Sequence, residues 1–484
     1  MAQSIRSQLV HGVVWNSIEK ALMKGASFVI GIILARLLSP SDFGLVGMLS
    51  IFIAISNVFI EGGFAKALIQ RQNCQDIDFS TAFVANVVMS LIIYAILFVS
   101  APWIASFYSE PILVPLTRVL SINFILGAFN IVQRAKLMAA VDFKSLAQIN
   151  VISVIISGSV GIGMAYLGCG VWSLVGQALS ATFVLMLLFP FYSKWKPSVK
   201  FSKSSFRDLF GFGSKLMITG VYSTIVNNIS TICIGRFYKS DQLGQYTRAQ
   251  QFSDIISMTL YEVLGNVTFP VLSELQDDKQ KLVAVYRKAL FFTAMVVFPI
   301  MLLLVLVARP MVLILLTEKW LPCVVLMQWM LLARLFTPLS AINMNILNAV
   351  GRSDLFLKID LSKLPLTVLV LWITIPRGVE AIAIGIFCES FICFFINAFL
   401  PGRLFGYGAW SQIRDWRGIF ASAAIMSGTV WGFLKLFSNV WVQFIGGGIL
   451  GIGVYIGCCF LFKVIDDDVL GMLKMFKRNK TDNE

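Results

Sequence analysis

The sequence predicts an all-α polytopic membrane protein with about 14 transmembrane helices. Of its 484 residues, 58% are hydrophobic and 13% are charged, whereas soluble domains average about 25% charged residues. A spanning helix needs about 20 apolar residues, so the apolar residues would fill roughly fourteen spans. Only helices satisfy their own backbone hydrogen bonds in lipid without a neighbouring strand. A soluble globular fold is therefore excluded.

Apolar segments separated by charged residues, glycine and proline define the predicted spans. Two helix starts carry a local signal, a serine followed three residues later by an acid: Ser39 with Asp42, and Ser205 with Asp208 before the seventh span. The fourteen predicted spans cover residues 12–37, 43–69, 79–105, 112–133, 145–167, 171–193, 209–235, 243–270, 289–315, 321–350, 355–376, 380–401, 417–436 and 440–462.

The distribution of basic residues predicts the orientation. With the N-terminus in the cytoplasm, 25 Lys and Arg residues fall in cytoplasmic segments and 8 on the opposite side. This asymmetry agrees with the positive-inside rule and places both termini in the cytoplasm. It also accounts for the net charge of +14, so nucleic acid is not expected as a partner.

An internal repeat divides the chain into two halves. Residues 32–44 align with residues 232–244 at an offset of 200, which matches Gly44 to Gly244. Six spans per half give both halves the same orientation, an arrangement in which transporters bind substrate between the halves. The predicted domains are an N-terminal six-helix lobe (1–193), a cytoplasmic linker (194–208), a C-terminal six-helix lobe (209–401), two additional transmembrane helices (402–462) and a cytoplasmic tail (463–484).

Four segments resemble polysaccharide transporters of the MOP superfamily, and within it the Wzx-type flippases of lipopolysaccharide and O-antigen repeat units. They are Trp15-Asn16, Ala35–Gly44, Gly62–Arg71 and Leu243–Gln250. The resemblance extends over about residues 1–470. It implies two six-helix lobes around a central cavity and two extra C-terminal helices. It also implies that an undecaprenyl-pyrophosphate-linked repeat unit is flipped to the periplasmic leaflet.

Basic residues inside spans are the candidates for substrate binding. Charges are costly in lipid, so they usually face a cavity or a partner, and cations suit a pyrophosphate headgroup. The predicted substrate-binding residues are Lys20, Lys24, Lys215, Arg334 and Lys363. Arg334 lies roughly 20 Å into the tenth span at about 1.5 Å per residue. Alternatively, Lys20 and Lys215 extend to the inner interface, and Lys363 only pairs with Asp360 on its own helix.

Acidic residues inside spans are the candidates for ion coupling. They are Glu61, Glu262 and Glu389. Burial favours the protonated form of such a carboxyl group, so it can take up a proton or bind a sodium ion. The alternative is that these acids balance the cavity cations or form hydrogen bonds between helices.

The remaining motifs favour neither catalysis nor a resident metal. The eight cysteines form no Cys-x-x-Cys pair, a single histidine makes no zinc site, and no phosphate-binding glycine loop is present. We therefore expect no enzyme activity, no catalytic residues, no metal site and no cofactor, with Na⁺ or H⁺ as the coupling ion. Gly447-x-x-x-Gly451 and Gly453-x-x-x-Gly457 predict close helix packing, within the chain or at a dimer interface.

The predicted function is the flipping of an undecaprenyl-pyrophosphate-linked oligosaccharide from the cytoplasmic to the periplasmic leaflet of the bacterial inner membrane. Alternating access, coupled to an ion, would serve lipopolysaccharide, capsule or exopolysaccharide biosynthesis. Expected partners are the lipid-linked oligosaccharide, membrane lipid and a polysaccharide polymerase complex. One alternative is a cation-coupled small-molecule exporter of the same superfamily, which would favour an acidic cavity. Another is a membrane glycosyltransferase, which normally carries a large extracytoplasmic domain.

Overall fold

The computed structural model describes residues 22–61, 68, 74–195 and 197–464. In these residues the secondary structure is helical, with no strand. The contacts between residues divide the chain into two compact units, Met1–Thr247 and Arg248–Glu484. The predicted division into two six-helix lobes joined by the linker 194–208 stays a prediction.

The first unit contains eight helices and the start of a ninth within its described residues. Helix α1 includes residues 22–37. The following helices are α2 (Pro40–Glu61), α3 (Asp76–Tyr108), α4 (Leu113–Leu120), α5 (Ile122–Ala139), α6 (Phe143–Tyr166), α7 (Trp172–Ser193), α8 (Lys203–Phe237) and α9 (Ser240–Glu274), which continues into the second unit.

The second unit continues with α10 (Lys279–Leu315), α11 (Cys323–Arg334), α12 (Thr337–Ala349), α13 (Ser353–Ser362), α14 (Leu364–Thr374), α15 (Val379–Phe405), α16 (Ala409–Asp415), α17 (Arg417–Leu436) and α18 (Gly447–Leu461). Short 3₁₀ turns precede α11 and α15, and a π-helical turn at Val442–Gly446 leads into α18.

Eleven segments in the described part of the chain are long and apolar enough to cross a membrane. The predicted count of fourteen is consistent with this finding. Of the other three predicted spans, 12–37 begins outside the described residues, 243–270 is the more polar α9, and 355–376 is divided into α13 and α14. The division falls at Lys363, two residues before Pro365, whose ring nitrogen has no hydrogen to donate to the preceding turn.

The two predicted helix starts have different outcomes. Ser39 and Asp42 bond reciprocally at the start of α2: the Ser39 backbone N–H donates to Asp42 Oδ2 at 2.9 Å, and the Asp42 N–H donates to Ser39 Oγ at 3.3 Å. The start at Ser205 is wrong, because α8 begins at Lys203 and Ser202 is its N-cap. The Ser202 side chain accepts a hydrogen bond from the Ser205 backbone N–H.

The core of the first unit joins α3, α5 and α8 through the connection before α8. Trp195 lies in that connection and packs edge-to-face on Phe83 of α3, with 5.9 Å between ring centroids. Val132 of α5 and Leu209 of α8 belong to the same buried cluster. The N-terminal half of α8 is thereby fixed to the first unit.

The two C-terminal helices pack on α10. The Tyr455 hydroxyl of α18 donates to the Met295 carbonyl at 2.8 Å. A Cβ placed at Gly451 would lie 2.7 Å from Leu303, whereas Gly453 and Gly457 have no neighbour within 4 Å. The Gly447–Gly451 face therefore packs within the chain, as one of the two sequence alternatives predicts.

Candidate transport site

The break between α13 and α14 carries a group of polar side chains. The Lys363 ammonium lies 3.0 Å from Asp360 Oδ1, one turn earlier, and the Lys363 side chain is only 18% exposed. This is the intrahelical pair that the sequence left open as the alternative to a cavity role. The pair sits where the helix is discontinuous, and discontinuous helices are where transporters commonly build substrate and ion sites.

Glu389 belongs to the same group. Glu389 Oε1 of α15 accepts a hydrogen bond from the Thr367 hydroxyl of α14. Thr367 lies one turn after Lys363, whose carbonyl oxygen accepts from the Thr367 backbone N–H at 3.0 Å. Cys393, one turn after Glu389, is within electrostatic range of Glu389, Lys363 and Asp360. The structure therefore places a predicted coupling acid near a predicted substrate cation.

This group has the chemistry of a monovalent ion site. A carboxylate and a hydroxyl oxygen beside a helix break can hold a proton or a hard cation such as sodium, since such cations prefer oxygen ligands. Across the described residues no group of three His, Cys, Asp or Glu side chains is arranged to hold a metal ion. Any sodium ion here would depend on hydroxyl and backbone oxygens in addition to Glu389.

Arg334 forms an ion pair that the sequence analysis missed. Its Nε lies 2.6 Å from Asp254 Oδ1 and joins α11 to α9. The side chains of Arg334 and Asp254 are 22% and 28% exposed, so the pair is accessible but largely enclosed. Asp254 lies inside the predicted span 243–270, and the rule that charges in spans are functional should have selected it.

The other predicted site residues are only partly described. Lys24 lies on α1 with an exposed side chain. Lys20 lies outside the described residues. Lys215, Glu61 and Glu262 are placed on α8, α2 and α9, and their side chains lie outside what the structure describes. Of the eight predicted site residues, Lys363 and Glu389 are therefore the two that the described structure brings together.

A fully buried polar network connects α10, α12 and α16. The Tyr286 hydroxyl donates to Asn343 Oδ1, and Gln412 Nε2 donates to the same oxygen at 2.9 Å. Asn343 Nδ2 donates back to Gln412 Oε1 at 3.3 Å. Each of these three side chains is fully buried. Buried polar groups are costly unless they are paired, so the network specifies how α16 docks.

An ion pair extends this network to the surface. Arg287 binds Asp415 through two bonds, from Nε at 2.6 Å and from Nη2 at 2.9 Å. The Tyr407 hydroxyl donates to Asp415 at 2.7 Å. Burial and the hydrogen bond to Asp415 raise the pKa of Tyr407 above its ordinary value, so this tyrosine stays a donor at all physiological pH values.

The two repeat-related helix starts meet within the first unit. A Cβ at Gly44 would overlap the Ser240 carbonyl oxygen, and a Cβ at Gly244 would overlap the Pro40 carbonyl oxygen. The offset of 200 converts one contact into the other, because it relates Pro40 to Ser240 and Gly44 to Gly244. Such a reciprocal contact is the signature of a two-fold relation. The matched glycines of the sequence repeat are thus explained by close backbone approach.

A family model described as polysaccharide biosynthesis protein matches residues 33–325. The chain belongs to this family. The match covers more than half of the chain, begins within α1 and includes α2 to α10, so it extends from the first unit into the second.

Two relatives extend the similarity over most of the chain. The teichuronic acid biosynthesis protein TuaB of Bacillus subtilis (strain 168) is 27% identical, and the alignment covers 78% of each chain. The lipopolysaccharide biosynthesis protein WzxC of Escherichia coli (strain K12) is 24% identical over 82% of this chain and 80% of that protein.

Two solved structures share the fold. The lipid II flippase MurJ, in an inward closed conformation, aligns with a TM-score of 0.73 and 16% identity over 93% of this chain and 98% of that one. An inward-facing multidrug resistance MATE family transporter of the MOP superfamily aligns with a TM-score of 0.62 and 17% identity, covering 81% and 97%. The predicted all-α polytopic membrane fold and the resemblance to polysaccharide biosynthesis proteins are confirmed.

Proposed function

We propose that this polysaccharide biosynthesis family member is a flippase for an undecaprenyl-pyrophosphate-linked oligosaccharide. It would move this lipid from the cytoplasmic to the periplasmic leaflet of the bacterial inner membrane, with both termini in the cytoplasm. The observation that carries the proposal is the family match of residues 33–325 in a chain with the MurJ-like fold. The names of TuaB and WzxC, both polysaccharide biosynthesis proteins, support it.

The chemistry of the described residues supports transport of an anion. The pyrophosphate carries several negative charges, and it must cross a hydrocarbon layer about 30 Å thick. Lys363 and Arg334 are largely enclosed cations, each held by a carboxylate. A phosphate group can exchange with such a carboxylate as the partner of the cation, because both form charge-assisted hydrogen bonds. Lys20, Lys24 and Lys215 are the further proposed substrate contacts.

Ion coupling is proposed to reside at Glu389. In one state Glu389 accepts the Thr367 hydroxyl hydrogen bond; binding of H⁺ or Na⁺ would neutralise the carboxylate and change its interaction with the nearby Lys363–Asp360 pair. Glu61 and Glu262 are the other proposed coupling acids. The protein would act as a transporter without catalytic residues or a cofactor, and a polysaccharide polymerase would receive the flipped repeat unit.

The decisive experiment is reconstitution of the full chain in vesicles that contain a lipid-linked oligosaccharide. A glycan-cleaving enzyme added outside measures how much oligosaccharide has crossed, with and without H⁺ and Na⁺ gradients. We expect gradient-dependent crossing with the wild-type protein. The proposal is wrong if the oligosaccharide crosses no faster than in protein-free vesicles while a small organic cation is exported. The protein would then be a small-molecule exporter.

The matched variants are Glu389→Gln and Glu380→Gln. Glu380 lies in the first turn of the same helix, so both changes remove one negative charge from α15. We expect Glu389→Gln to abolish the gradient dependence and Glu380→Gln to retain it. Equal gradient dependence in both variants would remove Glu389 from the coupling mechanism.

A further inference from the structure

A groove on the second unit lies between α13 and α15. It is a shallow, open groove with a volume of about 460 Å³, and it is lined by Lys358, Ile359 and Ser362 of α13 and by Phe395, Ile396, Phe399 and Leu400 of α15. The α15 side is entirely apolar, and Phe399 is 64% exposed. The α15 side of the groove thus consists of apolar side chains, and the α13 side carries one ammonium group, that of Lys358.

The helix geometry places the groove within one leaflet. Lys358 and Ser362 lie five and nine residues from the start of α13, which corresponds to about 8 and 14 Å at about 1.5 Å per residue. Phe399 and Phe395 lie at similar distances from the end of α15, which is at the same predicted cytoplasmic side. The lining residues therefore lie about 8–15 Å along the two helices from their predicted cytoplasmic ends, within the roughly 15 Å of hydrocarbon that one leaflet contains.

Two basic side chains lie at the predicted cytoplasmic end of this groove. Lys358 is exposed, and Arg403 follows Phe399 by four residues, on the same face of α15. The acidic neighbour Asp354 pairs with Arg352, whose Nε lies 3.1 Å from Asp354 Oδ1, and this pairing is the main cause that lowers the pKa of Asp354; Asp354 also interacts electrostatically with Lys358. The two basic side chains are long enough to extend to the headgroup level.

An exposed aromatic residue lies beside the groove. Trp410 is 77% exposed, and its ring lies 5.7 Å from that of Phe395. Basic pockets between helices at the cytoplasmic boundary are known to bind anionic headgroups.

We propose that this groove is a binding site for one anionic phospholipid of the cytoplasmic leaflet. An acyl chain lies along Phe395, Ile396 and Phe399, and the phosphate pairs with Lys358 and Arg403. The site adjoins the group around Glu389, since Ser362 precedes Lys363, but its lining does not include Lys363 or Glu389, and it binds a resident lipid, not the transported one. The proposal of a phospholipid site does not depend on the identity of the transported substrate, because it is based only on the side chains that line the groove and on Arg403.

Native mass spectrometry of the delipidated full-length protein tests the proposal. The probes are phosphatidylglycerol, phosphatidylcholine and undecaprenyl phosphate, each added at equal concentration. We expect the wild-type protein to retain one phosphatidylglycerol at least several-fold more strongly than phosphatidylcholine. Equal retention of both phospholipids by the wild-type protein would overturn the proposal. Displacement of phosphatidylglycerol by equimolar undecaprenyl phosphate would also overturn it, since the groove would then bind the substrate tail.

Two variants and a control locate the site. Lys358→Gln should reduce retention of phosphatidylglycerol several-fold and leave phosphatidylcholine unchanged, whereas Phe399→Ala should weaken both. Lys200→Gln is the control, because Lys200 is an exposed lysine on the same predicted side and lies outside the groove. Identical losses for Lys358→Gln and Lys200→Gln would show that net charge, not the groove, holds the lipid and would refute the proposal. Lipid retention alone decides this proposal, and the flipping activity of these variants is not used as a readout.

Discussion

The side-chain oxygens of Ser41 and Ser240 lie 2.8 Å apart, although 199 residues separate them in the chain. Ser41 is in the first turn of α2 and Ser240 is the first residue of α9. The contact is possible because Gly44 and Gly244 let the two helix starts approach until their backbones touch. Since the predicted topology puts both starts on the outer side, alternating access would require this contact to open.

Cross-linking these two positions should stop transport. In the double variant Ser41→Cys with Ser240→Cys, the hydroxyl separation is short enough for a disulfide after small adjustments. We expect oxidation to block delivery of lipid-linked oligosaccharide and reduction to restore it, measured as surface polysaccharide in a flippase-deficient strain. The single variants, oxidised in parallel, control for the eight native cysteines. Undiminished transport by fully cross-linked protein would show that the contact stays closed throughout the cycle.

Side chains at the matched glycines should destabilise the fold. Alanine at Gly44 would place its Cβ on the Ser240 carbonyl oxygen, so the helices must separate, at a cost of about 1–3 kcal/mol. Alanine at Gly163 of α6 meets no atom within 4 Å and should stabilise its helix by roughly 0.5–1 kcal/mol. Thermal unfolding in detergent measures both. A Gly44→Ala midpoint equal to that of wild type would contradict the close approach.

Local sequence signals predicted structure best where the partners are neighbours in the chain. Ser39 and Asp42 cap α2 as predicted, because a reciprocal cap needs only residues three apart. The same pattern at Ser205 and Asp208 was wrong, since Ser202 offers an equivalent hydroxyl one turn earlier. Serine-rich segments therefore allow several registers, and tertiary contacts choose among them; the Ser202 backbone N–H also donates to Thr81 of α3.

Long-range pairs could not be predicted in the same way. Arg334 and Asp254 lie 80 residues apart, and Thr367 and Glu389 lie on successive helices. The apolar content predicted the membrane fold, and the charge-in-span rule selected Arg334 and Glu389. Neither signal contains the helix rotation that decides which charge meets which. The rotation of each helix follows from its packing against the other helices, and this packing cannot be inferred from the residue pattern of a single sequence.

Disrupting the buried network of Tyr286, Asn343 and Gln412 should weaken the docking of α16 and of the C-terminal helices that follow it. Gln412→Leu removes three hydrogen-bonding contacts with Tyr286 and Asn343 and leaves the Asn343 amide nitrogen without its acceptor in the core. An unpaired buried polar group costs about 1–3 kcal/mol. We expect a lower unfolding midpoint and faster proteolysis between α15 and α17. Gln443→Leu is the control, because the Gln443 side chain donates only to the carbonyls of Leu434, at the end of α17, and of Phe437, just after it. Matching proteolysis of both variants would contradict a docking role for Gln412.

Variants of the ion pair between Arg334 and Asp254 can distinguish a structural role of Arg334 from a role in transport. Its exposure lets a phosphate reach the guanidinium, and the fork geometry of arginine suits phosphate oxygens. Removing either partner leaves the other charge without its carboxylate or guanidinium contact, which costs about 1.5–3 kcal/mol for a charged hydrogen bond. Both Arg334→Ala and Asp254→Ala should therefore lower the unfolding midpoint.

Transport should distinguish the two variants. We expect Arg334→Ala to abolish flipping, Arg334→Lys to retain a fraction, and Asp254→Ala to retain binding because the arginine is then available to the phosphate. The assay is retention of undecaprenyl pyrophosphate by purified protein, alongside surface polysaccharide and membrane protein levels. The double variant with both residues changed to alanine regains stability as the unpaired charges disappear, but it should not regain flipping. If the double variant transports normally, the ion pair is structural and Arg334 contacts no substrate.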